Sequence, residues 1–263
     1  MLDNNELNIN LPDNLINNSN TAIKQLSRTA SIILGSINTL LIPMEITSAL
    51  AEHKAKEFIE KITKTASKIP PERLTNPPIS IIGPAFEGAK YSFTEDDLRD
   101  MYANLIAKSL DKAEEGKQFL SFINIIQQLS PAEARLFKAL FTENSFMSYP
   151  IATIKFTKET GYIVAMDCLS SYQFEELTEK QIANMLLNFS RLGLIEIDKT
   201  TSISADLNAY SFVEKSESMK EIKKQAAISG YDVSFDKILF RMSLFGKSFF
   251  LTCITDEIAQ SLF

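Results

Sequence analysis

Four prolines within nine residues, Pro70, Pro71, Pro77 and Pro78, forbid a continuous helix through this part of the chain. Proline lacks a backbone N–H and fixes φ, and the residue before it is steered to extended backbone, so residues 69–79 read as a stiff connector. Helical spacing dominates on both sides. Residues 20–41 place apolar side chains at 23, 26, 30, 33, 34, 37 and 41, a single buried stripe, and Pro43 ends that helix or opens the next. Residues 45–68 turn Ile46, Leu50, Phe58, Ile59 and Ile62 inward and alternate Glu with Lys outward, with Glu57–Lys61 and Glu60–Lys64 at favourable i,i+4 spacing. The expectation is an N-terminal helical hairpin over 21–69. Residues 1–20 are Asn-rich, carry no aromatic residue and read as a flexible N-terminus.

Beyond the connector, residues 70–129 read as a helical core. Residues 79–91 form a short helix that tolerates Pro84 near its start. Thr94 reads as an N-cap, with Glu95, Asp96 and Asp97 at the positive end of the helix dipole and Leu98, Met101, Tyr102, Leu105, Ile106 and Leu110 on the buried side. Asp96, Asp97 and Asp100 serve helix-start electrostatics in this reading, because a hard-cation site needs further oxygen ligands converging from elsewhere. Residues 111–117 (DKAEEGK) read as a short, charged, exposed loop. An apolar-faced helix over 118–129 stops at Ser130-Pro131, where Ser130 caps, Pro131 takes the first helical position and Glu133 completes a capping box for a helix over 131–143.

The order of these pieces, and the residues Pro70, Glu72, Arg73, Leu74, Pro77 and Pro78, then Leu98, Arg99, Met101, Tyr102, Asn104, Leu105 and Leu110, then Phe122, Ile125, Ile126, Gln128, Leu129, Ser130, Pro131 and Glu133, resemble the abortive-infection alpha family. Those are bacterial proteins linked to phage defence, with no molecular activity assigned to their domain. A weaker echo falls at residues 242–254 (MSLFGKSFFLTCI). Family members often carry a His-Pro pair before the first aromatic of the third block. This chain has Lys117-Gln118-Phe119-Leu120-Ser121 there, so any role of that imidazole is absent. The resemblance singles out Arg73, Arg99, Tyr102, Asn104 and Gln128 as structural or interaction residues. Arg73, held in the connector, suits a carboxylate from a neighbouring helix.

From residue 130 the pattern changes to alternating helices and strands. Residues 150–156 suit an edge strand or a short helical turn. Residues 178–192 form a capped amphipathic helix with Ile182, Met185, Leu186 and Phe189 inward, and Gly193 leads directly into a strand. A strand over 235–242 and a closing helix from Ser243 follow. That order resembles the end of a winged-helix domain, with a long insert at 198–235 in the wing position and a helical pattern of its own at 216–228. The expected fold is mainly α: helical N-terminal and middle regions, then a winged-helix-like α+β module over 130–263.

The net charge of −6 divides equally, −3 on either side of Leu129, so neither half has the basic balance that phosphate binding draws on. The candidate recognition helix would present Lys180, Gln181, Asn184, Asn188 and Arg191 to DNA, but its net charge is only +1. His53 is the only histidine and lies among helix-face charges; Cys168 and Cys253 have apolar neighbours and no CxxC spacing. No glycine-rich phosphate loop is present, and no catalytic residue, cofactor or metal is expected. Residues 30–42 (ASIILGSINTLLI) are too short to cross a bilayer and lack Lys, Arg and Trp anchors, so a packing helix is favoured over membrane contact. The leading expectation is a cytoplasmic, non-enzymatic phage-defence protein that binds a protein partner, phage-derived in the simplest case. A winged-helix DNA-binding regulator is the alternative, and a homo-oligomeric assembly subunit the third arrangement.

Overall fold

At the Ser130-Pro131 junction, the Ser130 N–H donates to Glu133 Oε2 (2.8 Å) and the Glu133 N–H donates back to the Ser130 hydroxyl (3.2 Å), so a helix starts at Pro131. A computed structural model describes residues 49–117, 119–142, 148–175, 177–203 and 208–257. The chain divides into two compact units, residues 1–134 with 250–263, and Arg135–Phe249. The flexible N-terminus expected over 1–20, the helix over 20–41 and the apolar segment 30–42 lie outside the described residues.

The first unit is helical. It contains α1 (Ala49–Ala66), a 3-10 turn (Pro71–Arg73), α2 (Ile79–Lys90), α3 (Asp96–Ser109), a 3-10 turn (Lys112–Glu114), α4 (Phe119–Ile126) and a π turn (Phe250–Ile254). α3 lies at its centre, against α1, α2, α4 and the π turn. Eleven of its fourteen residues are buried, so it is not the one-faced helix its pattern suggested. Phe58 of α1 meets Phe86 edge-on at 5.6 Å and lies 5.5 Å from Phe93. Gly88 of α2 is a close approach: a β-carbon there would come within 2.5 Å of the buried Tyr102 hydroxyl.

Several local expectations are corrected here. α3 is preceded by Glu95 rather than capped by Thr94, because turn bonds from the Ser92 N–H to the Ala89 carbonyl and from the Glu95 N–H to the Ser92 carbonyl hold the chain in turns up to Glu95. Pro84 sits inside α2, beyond the first turn; the carbonyl its missing N–H would have met belongs to exposed Ser80. The loop after α3 is not simply exposed, since Asp111 and Glu114 are buried. Glu57 takes Lys54 one turn back on α1 and Arg99 of α3 as partners, and Lys61 takes Asp100 of α3, in place of the expected Glu57–Lys61 pair.

The second unit is mixed α+β. After α5 (Pro131–Thr142), within which the division between units falls, come β1 (Tyr149–Lys158), β2 (Gly161–Ser170), α6 (Glu179–Arg191) and β3 (Ile195–Asp198). Then follow α7 (Ser211–Lys215), α8 (Glu217–Ser229), β4 (Asp232–Met242) and α9 (Leu244–Phe249). The strands form one antiparallel sheet in the order β2-β1-β4-β3. The segment expected as an edge strand or helical turn is therefore an interior strand, and β2, which the sequence reading passed over, is an edge. Phe137 anchors the core, with ring centroids 5.0 Å from Phe141, 5.3 Å from Phe189 and 5.9 Å from Phe249. Tyr149 stacks on Phe240 at 5.0 Å and donates its hydroxyl proton to the Leu140 carbonyl.

The order α6, β3, long insert, β4, α9 matches the expected succession. α6 opens with a capping box between Thr178 and Gln181, and Gly193 follows it at φ 74°, a left-handed position glycine occupies without strain. The insert carries α7 and α8 and is pinned by Tyr210, whose hydroxyl donates to the Ile238 carbonyl (2.9 Å) and accepts the Ile203 N–H (3.1 Å).

Candidate functional site

A concave feature lies in the second unit, where α6 and α8 run beside β2. The two helices are joined at their starts: the Glu179 carboxylate accepts the N–H groups of Ser218 (2.9 Å) and Glu217 (3.3 Å), supplying an acceptor to the donors at the start of α8. One helical step later Lys180 Nζ lies 3.0 Å from Glu221 Oε2. Ile182, Ala183, Leu186 and Phe189 point α6 into the core, which leaves Lys180, Asn184 and Leu187 along its other side.

Between these helices and β2 lies a cavity of about 340 Å³. α8 lines it with Glu221, Ile222 and Gln225, and β2 with four consecutive residues, Val164 to Asp167. An unbroken strand alternates its side chains between faces, so four consecutive lining residues mean that the strand is bulged or seen along its edge. Both hold here. The register with β1 shifts twice, between Ala152 and Ile154 and between Ile154 and Lys155, and Cys168 sits at φ 59° beside the first shift. Beyond the bulges the strand stands proud of the core: Tyr162 is 62% exposed, Ile163 58% and Val164 48%, and Leu187 across the groove is 38% exposed.

The charges around the groove are paired. The Thr153 hydroxyl and the Cys168 N–H (3.0 Å) both donate to Asp167 Oδ1, and Lys199 Nζ lies 3.2 Å from Oδ2. Burial pushes the Asp167 carboxyl up, but Thr153, Lys199 and the Cys168 amide outweigh it and hold the group below the usual carboxylate range. What remains is an apolar strip with amide groups at its walls and no surplus charge. Such a surface excludes water from its apolar part and exchanges hydrogen bonds at its walls.

The residues singled out by family resemblance fall in the first unit, four of them around α3. Arg73 donates from Nε to Asp111 Oδ1 (2.9 Å) and from Nη2 to Oδ2, a bidentate pair on a fully buried carboxylate. Arg99 is buried, donates to the Phe93 carbonyl (2.9 Å) and pairs with Asp96 (2.7 Å) and Glu57 (3.2 Å). Tyr102 is buried over Gly88, and burial pushes its hydroxyl pKa up. Asn104 donates to the carbonyls of Cys253 (3.0 Å) and Ile254 (3.3 Å) in the π turn. Gln128 is exposed just past the end of α4 and donates to the Asn124 carbonyl (2.9 Å). Sequence reasoning missed Asp111 and Lys108. Lys108 is buried and donates to the carbonyls of Leu251 and Thr255, and burial pushes its pKa down to about 8. No sequence signal marks either residue, because their partners are remote in the chain.

Of the helix side chains named for nucleic acid, Lys180 and Asn184 line the groove, Gln181 belongs to the capping box, and Arg191 donates to Asn188 Oδ1 (2.7 and 3.0 Å). His53 lies on the exposed side of α1, 3.3 Å from Glu57. Both cysteines are buried, and burial pushes the Cys168 thiol up to about 12 and the Cys253 thiol up as well. Among the described residues no cluster of His, Cys, Asp and Glu is arranged to hold a metal ion, and no helix is long and apolar enough to cross a membrane.

No curated protein and no solved structure matches the chain significantly. The family profile for abortive infection alpha matches residues 50–253, a span that takes in α3 with its buried polar residues and the whole of the second unit. The chain belongs to the abortive infection alpha family.

Proposed function

We propose that this chain is a non-enzymatic phage-defence protein that works in the cytoplasm by binding a protein partner, with the β2–α6–α8 groove as the docking site. The observation that carries the reading is the pair of exposed apolar side chains Val164 and Leu187 in the lining of a cavity whose charges are internally paired, continued along β2 by exposed Ile163 and Tyr162. Apolar side chains left in water at a concave site are the usual signature of a protein contact. The polar family residues around α3 act in this reading as supports, because Arg73 is engaged with the buried Asp111 carboxylate, Arg99 with the Phe93 carbonyl, Asp96 and Glu57, and Asn104 with the Cys253 and Ile254 carbonyls.

A winged-helix-like reading of the second unit rests on the order α6, β3, long insert, β4, α9 and on the place of β4 between β1 and β3, while β2 stands between β1 and α6. It brings the DNA-binding regulator with it as the second reading. Against DNA stand the +1 charge of α6 and the engagement of Lys180 with Glu221 and of Arg191 with Asn188. Salt-sensitive binding of duplex DNA by the whole protein would favour the regulator; its absence removes that reading.

The test is a phage panel on cells expressing the full chain, scored for plaques and for culture survival at high and low phage input. Reduced plaquing with collapse only at high input is expected. Leu187→Asp, which puts a charge on the groove rim without touching the core, is expected to abolish protection while the far-UV circular dichroism stays unchanged. Undiminished protection by this variant overturns the docking site.

A further inference from the structure

The wall of the groove that β2 forms is unlike the other two. α6 and α8 present side chains, and their backbone groups are spent within the helices. β2 is paired with β1 on one side, and among the described residues no strand lies on the other. An edge strand carries a row of outward N–H and C=O groups, which only water or another extended chain satisfies. A helix laid in the groove has no backbone groups to offer them.

Edge strands are commonly blunted by lysine, proline or inward charge. Residues 161–166 of β2, Gly-Tyr-Ile-Val-Ala-Met, contain none of these. Both bulges lie toward the C-terminal end of β2, at Ala165 and at Asp167-Cys168, and leave residues 161–164, in unbroken register with β1, as the regular stretch that can take a new strand, about 13 Å at strand rise. At the end of that stretch the bulged strand opens onto the cavity, which has Val164 and Met166 on one side and Leu187 and Ile222 on the other. Lys180 is neutralised by Glu221 and Asp167 by Lys199, so the groove favours an occupant that brings no charge into it.

Resting on the docking reading above, we propose that the groove takes an extended, uncharged segment of a partner protein. The segment adds a strand to the outer edge of β2 at residues 161–164 and sets an apolar side chain into the cavity between β2, α6 and α8. Backbone pairing supplies affinity and the cavity supplies selection, as in other complexes formed by strand addition.

The probe is a fluorescent peptide of alternating threonine and valine, measured by anisotropy on the full chain beside the same peptide N-methylated at alternate amides. The parent peptide is expected to bind and to slow amide hydrogen exchange at residues 162–164. N-methylation removes donors from the pairing edge and is expected to weaken binding about tenfold or more, the equivalent of one to two hydrogen bonds. Val164→Lys, at a half-exposed position, is expected to weaken the parent peptide similarly with the fold intact. Equal binding of the two peptides, or no binding of either, overturns strand addition. So does a dimer of the protein alone that Val164→Lys dissociates, which would assign the edge to a second copy. Loss of protection in Leu187→Asp with equal binding of both peptides retains the docking site and removes strand addition. Unchanged protection in that variant removes the docking site itself.

Discussion

Replacing Asp111 by alanine breaks a pair that the connector depends on. The Asp111 side chain is fully buried and that of Arg73 only 18% exposed, and the pair is bidentate. Removing one member of such a pair costs about 3–5 kcal/mol, chiefly because the other charge remains desolvated, and the residual exposure of Arg73 places the loss near 3. Asp111 Oδ1 also accepts the Ala113 N–H (2.9 Å), which adds about 1 kcal/mol. The connector itself is tied down by the Leu74–Asp111 bridge and by the Thr75 N–H donating to the Leu110 carbonyl (2.8 Å), so local opening is expected there first. Urea unfolding followed by circular dichroism measures the loss, and hydrogen exchange at Leu74 and Thr75 locates it. The double variant Arg73→Met with Asp111→Leu is expected to recover most of the loss, because it removes the desolvated charges together. Losses below about 1 kcal/mol in Asp111→Ala, or strict additivity of the two single changes, would refute the reasoning.

Three further outcomes are expected. Lys108 is held near pKa 8 in the fold against an ordinary 10.5, so between those values the unfolded chain binds more protons and stability rises with pH, by about 3 kcal/mol for this group. Lys108→Met is expected to flatten that rise in urea titrations between pH 7.5 and 10; an unchanged slope refutes it. Gly246→Ala is expected to cost about 3 kcal/mol or more in thermal unfolding, because its β-carbon would overlap the Leu194 carbonyl, a backbone atom that cannot turn aside. Deleting residues 1–45 is expected to abolish phage protection if the N-terminal segment carries the response, and plaque counts decide it.

The capping boxes show where sequence reasoning works best. Ser130 with Glu133 and Thr178 with Gln181 depend on groups three residues apart, so the chain specifies them before any tertiary contact forms. The helical pattern within the insert is equally local and returns as α8. β2 was legible in principle, since Tyr162, Ile163 and Val164 follow a turn glycine in a run rich in β-branched residues, but the bulges break the alternation that would have announced it.

The amino-acid sequence by itself determined most of the described helices, the capping-box starts of α5 and α6, the connector that interrupts the helical pattern and the family, because each rests on spacing within a few residues or on the order of short blocks. The tertiary structure alone decided that α3 is buried on all sides, that Arg73 finds Asp111 and Lys108 the π-turn carbonyls, and that β2 is an edge beside two helix walls. Those are meetings of residues tens to more than a hundred positions apart. The charge and shape of each partner are visible in the sequence, but which partner lies within 3 Å depends on the packing of the whole unit.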